Sequence, residues 1–372
     1  MKKTKLTPKR RFREFHNENS WNQLELKNIA PLQRGFDLTK SSMKRGPYPV
    51  VFSNGIGAWN SEYKVKGPGV VTGRSGSIGN VSYIEDDYWP HNTSLWVTSF
   101  FDNYPLFIYY LYQSVDLTRF GSGSGVPTLN RNDVHDYSTS VPRIEEQTRI
   151  GNFLKHIEDI INLHQLKLEK SKALKSAYLS EMFPAEGECE PKRRFAGFTQ
   201  AWEQKTVSDL ADRYDNLRIP ITASDRVAGK TPYYGANGIQ DYVQGFTHDG
   251  EFILIAEDGA NDLQNYPVHY VNGKVWVNNH AHVLQAKTAV ADNKFLMNAM
   301  KHLNIEPYLV GGGRAKLNAD VMMKISLQVP ELEEQKLIGS FFASLDHLIG
   351  HHQRKLDKLQ NLKKAYLFEM FV

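Results

Sequence analysis

The chain has 372 residues, 41% of them hydrophobic and 23% charged, enough for two domains with separate cores and too apolar for disorder throughout. Its single cysteine, Cys189, excludes an intramolecular disulfide, a cysteine-rich zinc site and a Cys-x-x-Cys redox pair, and fits a reducing cytoplasm. A net charge of +4 is compatible with a nucleic-acid partner but does not argue for one.

The chain opens on bases: Lys2, Lys3, Lys5, Lys9, Arg10, Arg11 and Arg13 all precede the first acid, Glu14. No apolar run follows of the kind a secretory signal needs, and no stretch reaches the ~18 apolar residues of a membrane span. The arm reads as a solvated tail. Next comes a mixed α and β segment with many turns, where Gly69-Val70-Val71-Thr72-Gly73 reads as a short buried strand and 107–112 as a short helix. The loop Gly121-Ser122-Gly123-Ser124-Gly125 leads to a Leu-Asn segment. From Val141-Pro142 onward the pattern turns helical. Ile150, Leu154, Ile157, Ile161, Leu168 and Tyr178 recur at spacings of three, four or seven, or multiples of them, and Pro184 ends the run.

The same order then returns. The segment 251–256 reads as a buried strand, and Asn272-Gly273, between 266–271 and 274–277, is a strong hairpin signal. A short helix is expected over 294–303, followed by the loop Gly311-Gly312-Gly313. A second helical stripe of Ile338, Phe342, Leu345, Ile349, Leu356 and Tyr366 completes the chain. Each long helix, some 38 residues at 1.5 Å, makes a rod of ~57 Å whose apolar stripe must be buried against something. The other rod is the obvious partner. The fold class is therefore α+β: two pseudo-repeated mixed α/β domains separated by two long helices that pair as an antiparallel coiled coil. The boundaries are 1–142 for the first domain, 143–184 for the first helix, 185–330 for the second domain and 331–372 for the second helix.

The duplication is visible residue by residue. Pro8-Lys9-Arg10-Arg11-Phe12 returns as Pro191-Lys192-Arg193-Arg194-Phe195, and Trp21 as Trp202. Setting 123–183 against 311–371 without gaps gives 27 identities in 61 positions, among them Val-Pro, Glu-Glu-Gln and Glu-Met-Phe. Between these ends the similarity collapses to scattered glycines and asparagines. A shared scaffold with two different middles suggests one job done on two different targets.

Catalytic signatures are absent. Gly229-Lys230-Thr231 lacks the glycine a phosphate loop needs at 224, which is Ser224. Gly73-x-x-Gly76-x-x-Gly79 has the wrong spacing for a dinucleotide. His280-x-His282 and His351-His352 read as hydrogen-bonding or solvated residues, not metal ligands. Glu257-Asp258 is a weak dyad, because neighbours on a strand face opposite ways. The polar loops suit surface recognition instead, with bases for phosphates and Arg, Asn or an acid for base edges. The candidates are Arg34, Lys44, Arg45, Lys64, Arg74, Ser75, Ser77, Asn92, Thr93 and Arg131 in the first copy. In the second they are Arg213, Arg226, Lys230, Asn237, Glu257, Asp258, Asn279, His280, Arg314 and Lys316.

The twice-occurring Pro-Lys-Arg-Arg-Phe opening, the Thr72-Gly73-Arg74-Ser75-Gly76-Ser77-Ile78-Gly79 loop, Gly125-Val126-Pro127-Thr128-Leu129-Asn130 and both Glu-Glu-Gln…Glu-Met-Phe helices carry a resemblance. Over essentially its full length the chain resembles the specificity subunit of type I restriction–modification systems. The resemblance implies two target-recognition domains, each reading one half of a bipartite, asymmetric site in double-stranded DNA. It implies helices that set the gap between half-sites and dock two methyltransferase subunits, with restriction (translocase) subunits joining them. The chain is then a non-catalytic subunit without cofactors. S-adenosylmethionine for adenine-N6 methylation, and ATP and Mg, belong to the partners. The second copy departs from the first where Ala256-Glu257-Asp258-Gly259 replaces Gly73-Arg74-Ser75-Gly76, which predicts unlike half-sites. A contrasting reading is an adaptor that does not bind DNA, with a coiled coil and two protein-binding domains.

Overall fold

The computed structural model describes residues 6–123, 125–311 and 315–372. They form two units, Met1–Gln165 with Arg354–Val372, and Leu166–Gln353. Both unit boundaries fall inside the long helices, Ile144–Met182 and Leu332–Glu369. Each unit thus contains the start of one long helix and the end of the other.

In the first unit the sheet comes in two pieces. One runs in the order Leu32–Arg34, Ser94–Val97, Gly69–Gly73, Val81–Ile84; the other runs Gly55–Asn60, Tyr48–Phe52, Trp89–Pro90. In the second unit a single six-stranded sheet runs Ala211–Arg213, Ala281–Ala286, His248–Ala256, Val268–Val277, Ala228–Gly235, Gly238–Val243. The two orders are the same. The difference lies in one strand. Val268–Val277 serves two neighbours, antiparallel to His248–Ala256 and parallel to Ala228–Gly235. Its counterpart in the first unit is broken into Val81–Ile84 and Trp89–Pro90 by the acidic stretch Glu85-Asp86-Asp87. The dissimilar middles therefore carry one topology.

This arrangement corrects the expected hairpin at Asn272-Gly273. The chain runs straight through, with Asn272 opposite Glu251 and Gly273 opposite Gly250. Gly273 takes φ +94° without reversing the strand. Pairing along the whole strand outweighs the local turn preference. The expected short helices are present as Pro105–Ser114 and Asn293–His302. The Gly-rich segment of the first copy forms a small ladder, Gly121–Ser122 against Thr128–Leu129. Ser124, Gly312 and Gly313 lie outside the described residues.

The duplicated motifs are pins. In the first unit Gln147 donates to the carbonyl of Pro142 (2.9 Å) and accepts from the amide of Tyr104 (3.0 Å). In the second, Gln335 donates to Pro330 (2.9 Å) and accepts from Asp292 (3.1 Å). Each bond set ties the long helix to the start of the short one. Gly151 and Gly339 allow that approach, since a Cβ on Gly339 would stand 2.4 Å from Asp292 Oδ1 and 3.0 Å from the Phe295 amide. The arginines of both basic openings act as straps, which corrects the solvated-tail reading at Arg10 and Arg11; Lys2, Lys3 and Lys5 lie outside the described residues. Arg11 reaches Glu146 through two nitrogens at 2.7 Å, and Arg194 grips Glu334 at 3.0 and 2.7 Å. Arg10 and Arg193 meet Glu369 and Glu181, both at 2.6 Å. A buried carboxylate needs such partners, and the arm supplies them.

Part of each helical stripe roofs its own unit. Ile150 and Leu154 join the first core with Trp21 and Phe107, while Ile338, Phe342 and Leu345 join the second with Trp202 and Phe295. Farther along, the other helix becomes the neighbour. In the first unit Lys363 meets Glu158 at 2.6 Å and Tyr366 stands edge-on to Phe153 at 4.9 Å. In the second, Lys175 meets Asp346 at 2.5 Å and Tyr178 stands edge-on to Phe341 at 4.9 Å. Within each unit the two helix segments run antiparallel. Ile157, Leu168 and Leu356 are buried, and Ile161 and Ile349 are half-buried. Among the described residues no helix is long and apolar enough to cross a membrane.

Candidate functional site

In each unit, loops meet just past the end of a central strand, Gly69–Gly73 in the first and His248–Ala256 in the second, through the same backbone bonds. In the first, the Arg74 amide donates to the Thr93 carbonyl (2.9 Å), and the Leu129 amide donates to the Arg74 carbonyl (2.7 Å). In the second, Glu257 N–H donates to His280 O (2.8 Å), and Leu317 N–H to Glu257 O (2.7 Å). Single bridges Ser75–Thr128 and Asp258–Lys316 extend both crossings. Chain segments that look unrelated thus place Arg74 and Glu257 at one equivalent point, with Asn92-Thr93 and Asn279-His280 beside them.

The first crossing opens into a cleft of about 400 Å³ lined by Arg34, Arg74 and Arg131 together with Ser122, Thr128, Asn130 and Asn132. Arg34 bonds Asp37 at 3.0 Å, Asp37 also accepts from Asn92, and Arg74 reaches the Asn92 carbonyl at 3.4 Å. Three guanidinium groups against one carboxylate make this a cationic recess, and their planar forks match phosphates or guanine edges. Thr93 is engaged internally, with His91 and the Ser53 amide. Ser77 is exposed on the Arg74 loop. Lys44, Arg45 and Lys64 do not line the cleft; Lys64 sits 4.9 Å over the Trp89 ring.

The second crossing holds the opposite charge and neutralises it. Glu257 accepts from Arg218 at 2.7 Å and pairs with Lys316 at 2.9 Å. Asp215 bonds His282 at 2.7 Å and the Val283 amide at 2.7 Å, with Arg218 at 3.6 Å and Arg213 at 3.7 Å. His280 bonds Asp258 at 2.6 Å. Asn279 offers its carbonyl to Arg218 at 3.5 Å. Arg226 pairs with Asp241 and lies over Tyr233, Lys230 is exposed on its strand, and Asn237 holds the Gly259 carbonyl at 2.9 Å. Arg314 lies outside the described residues. Among those described, Asp215, Glu257 and His282 are close enough together to suit a metal ion. Arg218 and Lys316 already supply the positive charge there, and His282 also bonds the Leu317 carbonyl at 2.8 Å.

Asp215, Arg218 and His282 complete this network, and nothing in the sequence marked the three as partners. Separations of about 40 and 70 residues leave no pattern that could have revealed it. Burial alone would raise both carboxyls. Hydrogen bonds from His282 and Val283 lower Asp215 below the usual range, as those from Arg218 and Lys316 lower Glu257. A carboxyl held low in the folded state contributes stability above its unfolded value and loses it as pH falls. The melting temperature of the second unit is therefore expected to drop between about pH 5 and pH 3, with a shallower slope in Glu257→Gln. A midpoint that stays constant down to pH 3 would contradict this.

A family model described as the type I restriction modification DNA specificity domain matches residues 18–172 and 199–361. S.HindORF215P of Haemophilus influenzae, described as a type I restriction enzyme specificity subunit, is 43% identical over 146 residues, 39% of this chain and 38% of that one. S.MpnORF507P of Mycoplasma pneumoniae, described as a type I specificity subunit, is 30% identical over 166 residues, 44% of each chain. These matches span less than half the length of either relative. The crystal structure of a type I restriction–modification S subunit from M. genitalium aligns with 98% of this chain and 99% of its own. The TM-score is 0.78 at 16% identity, a likeness of fold.

Proposed function

The chain belongs to the type I restriction–modification DNA specificity family, and from that premise we propose that each unit reads one half of a bipartite, asymmetric site in double-stranded DNA. The observation that carries this reading is the shared crossing with opposite contents: Arg74 in a cationic recess in one unit, Glu257 held by Arg218 and Lys316 in the other. One frame with two different chemistries is what two unlike half-sites require. Guanidinium groups favour phosphates and guanine, whereas a carboxylate accepts from cytosine and repels phosphate.

In this reading the long helices pair as an antiparallel coiled coil, set the separation of the half-sites at about one turn of B-DNA, and dock two methyltransferase subunits. The chain itself catalyses nothing. S-adenosylmethionine, ATP and Mg are bound by the methyltransferase and restriction subunits, which carry out adenine-N6 methylation and ATP-dependent cleavage in the cytoplasm.

The direct test is genome-wide adenine-methylation mapping in a host expressing this chain with its methyltransferase, against a host lacking this chain alone. A two-part motif present only with the chain is the expected result. Replacing residues 213–316 by the same stretch of another family member is expected to alter one half of that motif and leave the other. A change in both halves would sink the assignment of one half-site to each unit.

A further inference from the structure

Each unit carries exposed apolar side chains at equivalent positions on and just after the same hairpin. In the first, strands Tyr48–Phe52 and Gly55–Asn60 are joined through Asn54-Gly55; in the second, Ala228–Gly235 and Gly238–Val243 through Asn237-Gly238. Both turn glycines have φ +108°. Both second strands then bulge at the same place. Val51 faces Ile56 and Val50 faces Ala58, leaving Gly57 over, while Tyr234 faces Ile239 and Tyr233 faces Asp241, leaving Gln240 over. Past the bulge, Trp59 lies opposite Pro49 and Tyr242 opposite Pro232.

Ile56 and Trp59 are 51% and 54% exposed, and Ile239 and Tyr242 are 48% and 52% exposed. Tyr63 and Phe246 follow at the same offset and are also open. That offset is 183 residues for all three pairs (239 − 56, 242 − 59, 246 − 63). Scattered exposed apolar residues mean little, but a triad held in place twice while its surroundings change marks a contact both units share.

The surroundings indicate what that contact is. Lys64 and Lys66 follow Tyr63 and are exposed, and Lys274 sits 4.6 Å over the Phe246 ring. The turns adjoin the loop crossings described above. Asn80 reaches the Ser53 carbonyl at 3.4 Å, and Asn237 bonds both Gly259 O and the Asn261 amide at 2.9 Å. The ribbon is flanked by exposed Lys64 and Lys66 beside Glu62 in the first unit, and carries Lys230 with an Arg226-paired Asp241 in the second. Apolar, flanked by these bases and continuous with the loop crossings, it complements duplex DNA, and a two-stranded ribbon fits the major groove. Resting on the half-site reading, we propose that these hairpins enter the major groove and that Trp59 and Tyr242 pack on sugars and base edges. Both half-sites then receive a common, sequence-tolerant contact, and discrimination is left to the loops bearing Arg74 and Glu257.

The test measures binding of the complex assembled with methyltransferase subunits to a duplex carrying the mapped motif, across a salt series. Trp59→Ala and Tyr242→Ala are each expected to weaken binding about tenfold at every salt concentration. The slope of log affinity against log salt stays unchanged, because an apolar contact releases no counterion, and the methylated motif stays the same. Trp59→Phe keeps most of the affinity, which separates a packing contact from a folding defect. Wild-type affinity in both alanine variants overturns the proposal. Failure of those variants to assemble with methyltransferase overturns it too, and assigns the surface to that protein. A wild-type complex without salt-dependent DNA binding overturns the half-site reading itself.

Discussion

Arg194→Ala is expected to destabilise the second unit by about 3–5 kcal/mol, a large part of a domain's typical stability. Glu334 is 0% exposed and its two short bonds come from this one guanidinium. Removing the arginine leaves a buried carboxylate uncompensated, which costs more than the pair contributes against an apolar replacement. The paired change Arg194→Met with Glu334→Met should therefore recover most of the loss. Urea denaturation of both variants measures the difference. Equal destabilisation by the single and double changes would show that the strap acts through shape, not charge. Arg11 and Glu146 form the same pair in the first unit, with Glu146 also 0% exposed.

Phe183→Ala is expected to cost about 3–5 kcal/mol, and Phe371→Ala to fall at the lower end of that range or below. Each phenylalanine closes a long helix and enters the core of the unit that contains the other helix's start. Phe183 packs with Phe295 at 5.5 Å, Phe342 at 5.9 Å and Trp202 at 6.3 Å. Phe371 stacks on Phe107 at 5.3 Å and is 9% exposed, beside the buried Met370. The better-surrounded ring leaves the larger cavity. Thermal unfolding of the two variants gives the comparison, and a greater loss for Phe371→Ala would reverse this ranking of the two cores.

The Glu-Glu-Gln and Glu-Met-Phe motifs were visible as repeats, but their meaning was not. The second glutamate of each triplet takes the arginine of the opening strap, and the glutamine bridges a proline carbonyl to the neighbouring short helix. Those partners lie from five to about 140 residues away. The Asn272-Gly273 turn failed for a related reason: a turn signal is local, and the antiparallel pairing of 268–275 with 248–255 overrides it. The polar loops stood out through their composition, and the structure brings Arg34, Arg74 and Arg131 to one cleft. Glu257 was legible as an acid, whereas its capture by Arg218 and Lys316 was not.

The sequence alone determined the duplication, the two long helices with their apolar stripes, and the places where the copies differ. All three follow from periodicity and self-comparison, which are properties of neighbours along the chain. The tertiary structure alone decided that the dissimilar middles share one strand order. It also decided that each core takes in the end of the other copy's helix, and that the two equivalent points carry one guanidinium in a cationic cleft and one neutralised carboxylate. Strand pairing, core closure and charge neutralisation join residues far apart in sequence, and no local spacing records which distant partner a side chain meets.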